Sequence, residues 1–358
     1  MMKSAHSLRL GRMGAAVSRT RDVSVTEMRR INIWAVSDGR AGMENQVLGL
    51  AEAVQRRIPA SITVKRIKVA RGIESLPQFL WGNPFDHLVE GSDKLAPPWP
   101  DLFIGCGRRV VPFAKALKQQ CYTVQTQDPR AKADHFGMVV PPIHDRVKGD
   151  RVVAIQGSPN RLTKERLRIE GQLLKMSLPS EIRLGGPYAA ALIGGPSKAY
   201  RWNKKVEDGI IASMLAAIHA GNVVLATLSR RTPFEFAQRM QSSFKARNLW
   251  LWDGEPVGPV DNPYFGMLGL ADRVLVTEES ANMITEAAFT GKPIHLMEMA
   301  GGGAKWDRFK TELTRQNIIK PGASMSDTWN YKPLRETERV ADEIVKRLTL
   351  RGVVHSYN

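Results

Sequence analysis

Residues 272–293 constrain the fold of this chain more than any other stretch. They read as a short buried strand, Arg273-Val274-Leu275-Val276, a polar turn, Thr277-Glu278-Glu279-Ser280, and a helix closed by Gly291 and Pro293. A strand that feeds a helix through a hydroxyl-rich turn is part of a βαβ unit, and such units build parallel sheets. In open α/β sheets ligands bind outside the carboxyl ends of the strands. A helix amino terminus at that place suits an anion such as phosphate. Asn282 and Glu286 are four apart and share one helix face. Together these features suggest a nucleotide-sugar pocket.

The same grammar recurs along the chain. A strand at 31–36 runs into the loop Ser37-Asp38-Gly39-Arg40-Ala41-Gly42, and a helix follows from about Glu44, with Val47, Leu50, Ala51 and Val54 at helical spacing. Further strands are expected at 62–69, 101–104, 121–125, 136–140 and 152–155. A boundary is expected at 178–187, where Leu184-Gly185-Gly186-Pro187 punctuates the chain. The pattern then restarts, with strands at 189–193, 222–228, 249–252, 273–276 and 294–297 and helices at 208–219 and 234–244. Near the end, Val340, Ile344, Val345 and Leu348 define one apolar helix face. The expected fold is α/β, with two Rossmann-like domains facing across a cleft. Its parts are a disordered basic extension (1–28), an amino-terminal acceptor-side domain (29–182), a carboxyl-terminal nucleotide-sugar domain (188–332), and a helix (333–350) packing back towards the first domain.

Charge narrows the partners. The chain carries 52 Lys+Arg against 35 Asp+Glu, a net of +17, which favours phosphates or anionic lipid. Seven of the basic residues and two of the acids lie in residues 1–30. No zinc finger or other nucleic-acid module is visible, so nucleic acid is not an expected partner. No run approaches the roughly 20 apolar residues that span a bilayer, which excludes an integral membrane protein. Residues 1–28 lack the apolar core of a secretory signal. They fit a transit-like segment, an extension upstream of Met28, or a basic tail. Two cysteines are too few for a disulfide framework, and no histidine is placed to activate Cys106. The seven histidines form no HExxH motif, and no GxSxG is present.

Candidate site residues sit at the strand ends. Gly194-Gly195-Pro196-Ser197-Lys198 reads as a diphosphate cradle, or else as an ordinary βα turn. Ser229-Arg230-Arg231-Thr232-Pro233 offers paired arginines at a helix start, and Thr232-Pro233 is also a helix-capping pair. Ser280, Asn282 and Glu286 are candidates for ribose and sugar hydroxyls, with Glu286 accepting from the vicinal pair. In the first half, Gly39, Arg40, Gly42 and Gln46 are acceptor-side candidates. Asp38 is the best-placed general base there, or else a cap for the next helix. Asp128, with Gln125, Gln127 and Arg130, marks a further strand end and is a further acceptor-side candidate, or else a turn with Pro129.

On these residues the chain resembles the Elm (elongated mitochondria) family of mitochondrial fission proteins. The carriers are WAVSDGRAGMENQVLGLAEA (34–53), PDLFIGCGRR (100–109), VQTQDPR (124–130), LIGGPSKAY (192–200), TLSRRTP (227–233), NPYFGMLGLADRVLVTEESANMITEAAFTGKP (262–293) and WNYKPLRETERVA (329–341). The family is similar to GT-B glycosyltransferases, and its bacterial members look like enzymes acting on cell-envelope glycolipids or polysaccharides. The resemblance therefore implies transfer of a sugar from a nucleotide-sugar donor to an envelope acceptor. It implies neither a cofactor nor an essential metal, because GT-B enzymes generally neutralise the leaving diphosphate with helix dipoles and basic groups. The implied place is the cytoplasm, peripheral at the inner membrane, and the basic, aromatic-rich amino-terminal half is expected to touch anionic lipid there. Two alternatives follow from the same resemblance. One is a non-catalytic adaptor recruiting a dynamin-related GTPase, at the mitochondrial outer surface in a eukaryote. The other is an epimerase that binds the nucleotide-sugar without transfer.

Overall fold

The computed structural model describes residues 29–244 and 248–354. The basic extension expected at 1–28 lies outside the described residues. The first lobe holds the strands β1 (Ile31–Ser37), β2 (Ala60–Arg66), β3 (Leu102–Cys106), β4 (Tyr122–Thr126) and β5 (Met138–Val140), with the helices α1 (Ala41–Gln55) and α2 (Val111–Ala116). Its five strands are all parallel, in the order β2-β1-β3-β4-β5. The expected strand at 152–155 contributes only single bridges, Val139–Val152 and Pro142–Ile155.

The chain crosses to the second lobe through residues 156–163. There follow α3 (Lys164–Ser177), α4 (Ser180–Arg183), β6 (Tyr188–Ile193), β7 (Tyr200–Arg201), α5 (Lys204–His219), β8 (Val223–Leu228), α6 (Phe234–Ser243), β9 (Leu249–Leu251), α7 (Tyr264–Leu270), β10 (Arg273–Thr277), α8 (Ala281–Thr290), β11 (Ile294–Met297), β12 (Ala300–Gly301), α9 (Ala304–Arg315) and α10 (Glu336–Leu350). The second sheet is also parallel, in the order β11-β10-β6-β8-β9, while β7 and β12 form a small antiparallel pair. Among the described residues no helix is long and apolar enough to cross a membrane.

Each sheet is buried on both faces, as parallel sheets require. In the first lobe, Ile31, Ile33, Ala35, Ile104 and Val124 pack beneath α1. Trp34, Val36 and Phe103 point the other way, into a core with Phe113 and Leu117. The apolar face of α10 completes the α1 core with Val340, Ile344 and Leu348. The last helix therefore belongs to the first lobe.

One boundary departs from the sequence reading. Leu162, Leu174, Leu178 and Ile182, read as part of the first domain, pack in the core of the second sheet. Helix α3 lies on α7 at close range. A side chain at Gly269 would overlap the Leu167 carbonyl, and one at Gly266 would come within 2.8 Å of the Glu170 carbonyl. The sequence reading also missed α3 and α9, whose mostly polar surfaces mask a narrow apolar stripe. The two crossings are stitched together where the Thr337 hydroxyl donates to the Asn160 carbonyl at 3.3 Å and accepts from the Asn160 amide at 3.0 Å.

Candidate functional site

The strand orders locate two crevices. In the first sheet the order reverses between β1 and β3, and in the second between β6 and β10. Such switch points are where open α/β sheets leave room for a ligand. The first crevice is edged by Ser37-Asp38-Gly39-Arg40 and Cys106-Gly107-Arg108-Arg109. The second is edged by Gly194-Gly195-Pro196 and Glu278-Glu279-Ser280. The amino ends of α1 and α8 bring the two crevices together.

Their contact is made by Asn282, in the first turn of α8. Its Oδ1 accepts from Gln46 Nε2 at 3.2 Å and from Ser158 Oγ at 2.8 Å, and its Nδ2 donates to the Gly42 carbonyl at 3.4 Å. All three partners belong to the first lobe or its crossing. Gly42, read as a loop residue, is instead the second residue of α1. A Cβ there would approach Asn282 Nδ2 to 2.9 Å. Asn282, assigned by sequence to the donor, therefore joins the lobes in this structure, and Gln46 is its partner. Gln46 Oε1 in turn accepts from Gln127 Nε2 at 3.4 Å and lies 3.5 Å from Cys106 Sγ. Burial pushes the Cys106 thiol up to about 12, so it stays protonated and is no nucleophile near neutral pH.

Asp38 sits at the end of β1 with its side chain only 1% exposed. Arg40 Nε donates to both of its oxygens, at 3.1 and 2.9 Å, and Arg109 lies 3.7 Å away. A carboxylate clamped in this way has its lone pairs engaged. It accepts a proton from another group only once Arg40 lets go, and the Arg40 side chain is 60% exposed. Gly39 is exposed, with φ +78°. Asp128 accepts from the Arg130 amide at 2.8 Å, closing its own turn.

In the second crevice Glu279 is the organiser. Its Oε1 accepts from the Gly195 amide at 3.2 Å and from Arg231 at 3.0 Å, and its Oε2 is buried with no hydrogen-bond partner among the described residues. Burial raises its carboxyl above the ordinary range, against the Thr277 hydroxyl, the Arg231 guanidinium and the Gly195 amide, which lower it. The Gly194 amide donates to Thr277 Oγ1 at 2.9 Å. The two glycines thus do not present free amides to an anion. They are glycine because a side chain at Gly194 would overlap the Glu279 carboxyl, and one at Gly195 the Arg231 carbonyl. Arg231 also donates to the Gly195 and Pro196 carbonyls, at 3.2 and 3.1 Å. Thr232 Oγ1 donates to the Gly194 carbonyl at 2.6 Å, and Ser229 Oγ accepts from the Arg231 amide at 3.2 Å. Ser197 Oγ accepts from the Tyr200 amide at 3.2 Å. Lys198 and Arg230 are exposed and make no ion pair among the described residues. They are the uncommitted cations of this crevice.

Ser280 caps α8, its hydroxyl accepting from the Met283 amide at 3.4 Å. One turn further in, Glu286 is only 6% exposed. It accepts from the Tyr264 hydroxyl at 2.6 Å. Burial holds its carboxyl up at about 7, against the pull of that hydroxyl. Glu278 is anchored elsewhere, to Lys310 at 2.8 Å and the Met299 amide at 3.0 Å. Sequence reasoning did not assign Tyr264, Ser158 or Glu279 a role. Only Glu279 left a signal, as a polar residue at a strand end. A cavity of about 720 Å³ lies on the outer side of β11, lined by Glu278, His295, Lys310 and Met325 among others. It touches none of Asn282, Glu286 or Arg231 and shares only Glu278 with the edge of the second crevice.

Comparisons with known proteins agree with this architecture. The S. aureus MnaA–UDP co-structure superposes with a TM-score of 0.51 at 11% identity, covering 92% of this chain and 99% of that one. That likeness concerns the fold: two facing Rossmann-like domains of GT-B type. The Arabidopsis thaliana mitochondrial fission protein ELM1 is 25% identical over 286 residues, 71% of this chain and 65% of that protein's length. The uncharacterized protein RP120 of Rickettsia prowazekii (strain Madrid E) is 27% identical over 362 residues, 88% of this chain and 98% of its own. The model of the family described as Mitochondrial fission ELM1 matches residues 41–348. The match runs from the first turn of α1 to the last turns of α10, and the chain belongs to that family.

Proposed function

We propose that the protein is a GT-B-type glycosyltransferase that takes a sugar from a nucleotide-sugar and gives it to an envelope glycolipid or polysaccharide. The observation that carries this reading is Glu286, a buried carboxyl at the switch point of the second sheet with a single side-chain hydrogen bond among the described residues. A buried carboxyl is costly and marks a working site. On this reading Glu286 accepts from the ribose hydroxyls. Lys198 and Arg230 meet the diphosphate, with the amino end of α8 adding its dipole. Arg231, Ser229 and Thr232 hold the loop in shape. Ser280 caps α8 beneath the donor, and Asn282 reaches the sugar when the lobes separate. No metal is needed in this scheme, because these cations take up the charge of the leaving group.

The acceptor hydroxyl attacks the anomeric carbon, and the bond from that carbon to the diphosphate oxygen breaks. The nucleoside diphosphate leaves with the bonding pair. The hydroxyl proton passes to Asp38, which Arg40 releases as it turns towards the incoming phosphates. Gln46 and the Gly39–Gly42 segment line the acceptor's approach.

A thermal-shift screen of UDP-, GDP-, CMP- and TDP-sugars tests the reading. One donor at about 100 times its Kd stabilises the fold by about 2.7 kcal/mol. Glu286→Ala abolishes that shift, with Glu286→Gln as the variant that keeps the side-chain volume. No shift with any donor overturns the enzyme reading. If a dynamin-related GTPase is retained in pull-down instead, the adaptor alternative takes its place.

A further inference from the structure

The segment between β2 and β3 carries three large apolar side chains turned to solvent within five residues. Phe79 is 80% exposed, Leu80 55% and Leu76 43%. They are held out by a braced turn. Trp81 is buried in the core of the first lobe, and its indole donates to the Leu76 carbonyl at 3.4 Å. His87 Nε2 meets the Trp81 carbonyl at 2.6 Å. Gln78 Nε2 donates to the Pro129 carbonyl at 3.4 Å, fixing the turn against the loop after β4. Burying such side chains against the lobe would be favourable by itself. A rigid mount that keeps them in water points to a surface that covers them.

The surroundings select an anionic lipid surface. The Gln78 contact sets the turn beside Arg130, which is exposed and makes no ion pair among the described residues. Glu74, at the base of the turn, is neutralised by Arg109, and the neighbouring Arg108 is exposed and unpaired among the described residues. Arg71 precedes the turn and is exposed. Of the nearby acids, Asp86 accepts from Asn83 and Asp128 accepts from the Arg130 amide, while Glu90 lies ten residues beyond Leu80. Apolar side chains at a tip, flanked by arginines, match the acyl boundary and the phosphates of a bilayer surface.

We propose that the Leu76–Leu80 turn docks the first lobe on an anionic membrane, inserting Phe79 and Leu80 among the acyl chains while Arg108 and Arg130 meet lipid phosphates. The turn is wired to the candidate acceptor crevice, because Arg109 pairs with Glu74 at its base and lies 3.7 Å from Asp38. The consequence that a lipid-borne acceptor enters beside Asp38 rests on the transferase reading. The docking itself does not.

The full chain is sedimented with phosphatidylcholine vesicles and with vesicles containing 30% phosphatidylglycerol, without any nucleotide. Binding to the anionic vesicles is expected, with about a tenfold loss in Phe79→Ser/Leu80→Ser. Arg108→Gln/Arg130→Gln is expected to lose about thirtyfold at low salt. In a second measurement, Phe79→Cys is labelled with an environment-sensitive dye. Labelling is selective because Cys106 and Cys121 are both buried. Dye emission rises on addition of anionic vesicles. Unchanged binding of the serine pair, or dye that stays in water while the protein sediments, overturns the proposal. So does a fall from dimer to monomer mass in the serine pair, which would make a second copy the covering surface. If vesicles bind but no nucleotide-sugar does, the transferase reading fails alone.

Discussion

Asn282 Oδ1 accepts a hydrogen bond from Gln46 Nε2 at 3.2 Å, across 236 residues of sequence and between the two lobes. With Ser158 and the Gly42 carbonyl, it makes Asn282 one polar joint between the lobes, alongside the Lys305–Asp145 ion pair and the Arg308 bond to the His144 carbonyl. The site is thereby held closed by a residue whose sequence context assigns it to the donor alone.

Asn282→Ala removes all three partners and leaves Gln46 less satisfied in a buried place. Loss of about 1–3 kcal/mol of stability is expected by urea unfolding. The radius of gyration from small-angle scattering should increase as the lobes part. A variant as compact and as stable as the parent would show that the joint contributes nothing.

Gly194→Ala sets a methyl group against the Glu279 carboxyl, and a loss of about 1–3 kcal/mol follows from overpacking. Glu279→Ala vacates that space, so the double variant should lose less than the sum of the two single losses. Gly195→Ala has no such rescue, because it meets the Arg231 backbone carbonyl. Thermal midpoints of the four proteins measure the coupling. Strict additivity in the Gly194–Glu279 cycle would contradict the packing.

Glu286 gives a pH signature. Its carboxyl rises from the ordinary 4.5 to about 7 on folding, through burial. The folded state holds the proton more tightly, so the stabilisation is complete below pH 4.5 and is lost as pH climbs through about 7. The whole swing is about 3 kcal/mol. Glu286→Gln cannot titrate. The stability difference between parent and variant should therefore shift against the parent between pH 4.5 and 7.5, as read by urea unfolding. A difference flat with pH would mean that the carboxyl is not held up.

Two buried histidines act in the opposite direction. His144 and His295 are both lowered to about 4, chiefly by burial; at His144, Asp145 pulls upward against Lys305 and Arg308, and at His295, Arg273 reinforces burial against Asp327. Each must stay neutral to fold, so its stabilisation is present above pH 6.5 and lost as pH falls towards 4. His295→Phe, which keeps a ring against Trp329, should weaken the acid loss by about 1.4 kcal/mol per pH unit in that window. An unchanged acid limb would rule His295 out as a contributor.

The chain's local chemistry was enough to write out most strands and to mark both crevices. Alternating strand and helix periods, and turns rich in Gly, Ser and Arg, are encoded within windows of ten to twenty residues. The spacing of Val340, Ile344 and Leu348 also foretold an apolar face, and α10 uses it on α1. What each polar group at a strand end does was decided elsewhere. The amides of Gly194 and Gly195 looked open in sequence, but Thr277 and Glu279 occupy them from more than 80 residues away. Asn282 and Glu286 share a helix face, yet one meets the other lobe and the other meets Tyr264. Helix α3 follows the first lobe in sequence but fills the second core, because its narrow stripe fits the glycines of α7. Sequence determines which backbone segments form, since that depends on near neighbours. Tertiary structure decides which polar atoms remain available, since each buried donor or acceptor is satisfied by whatever group the fold brings within 3 Å or so.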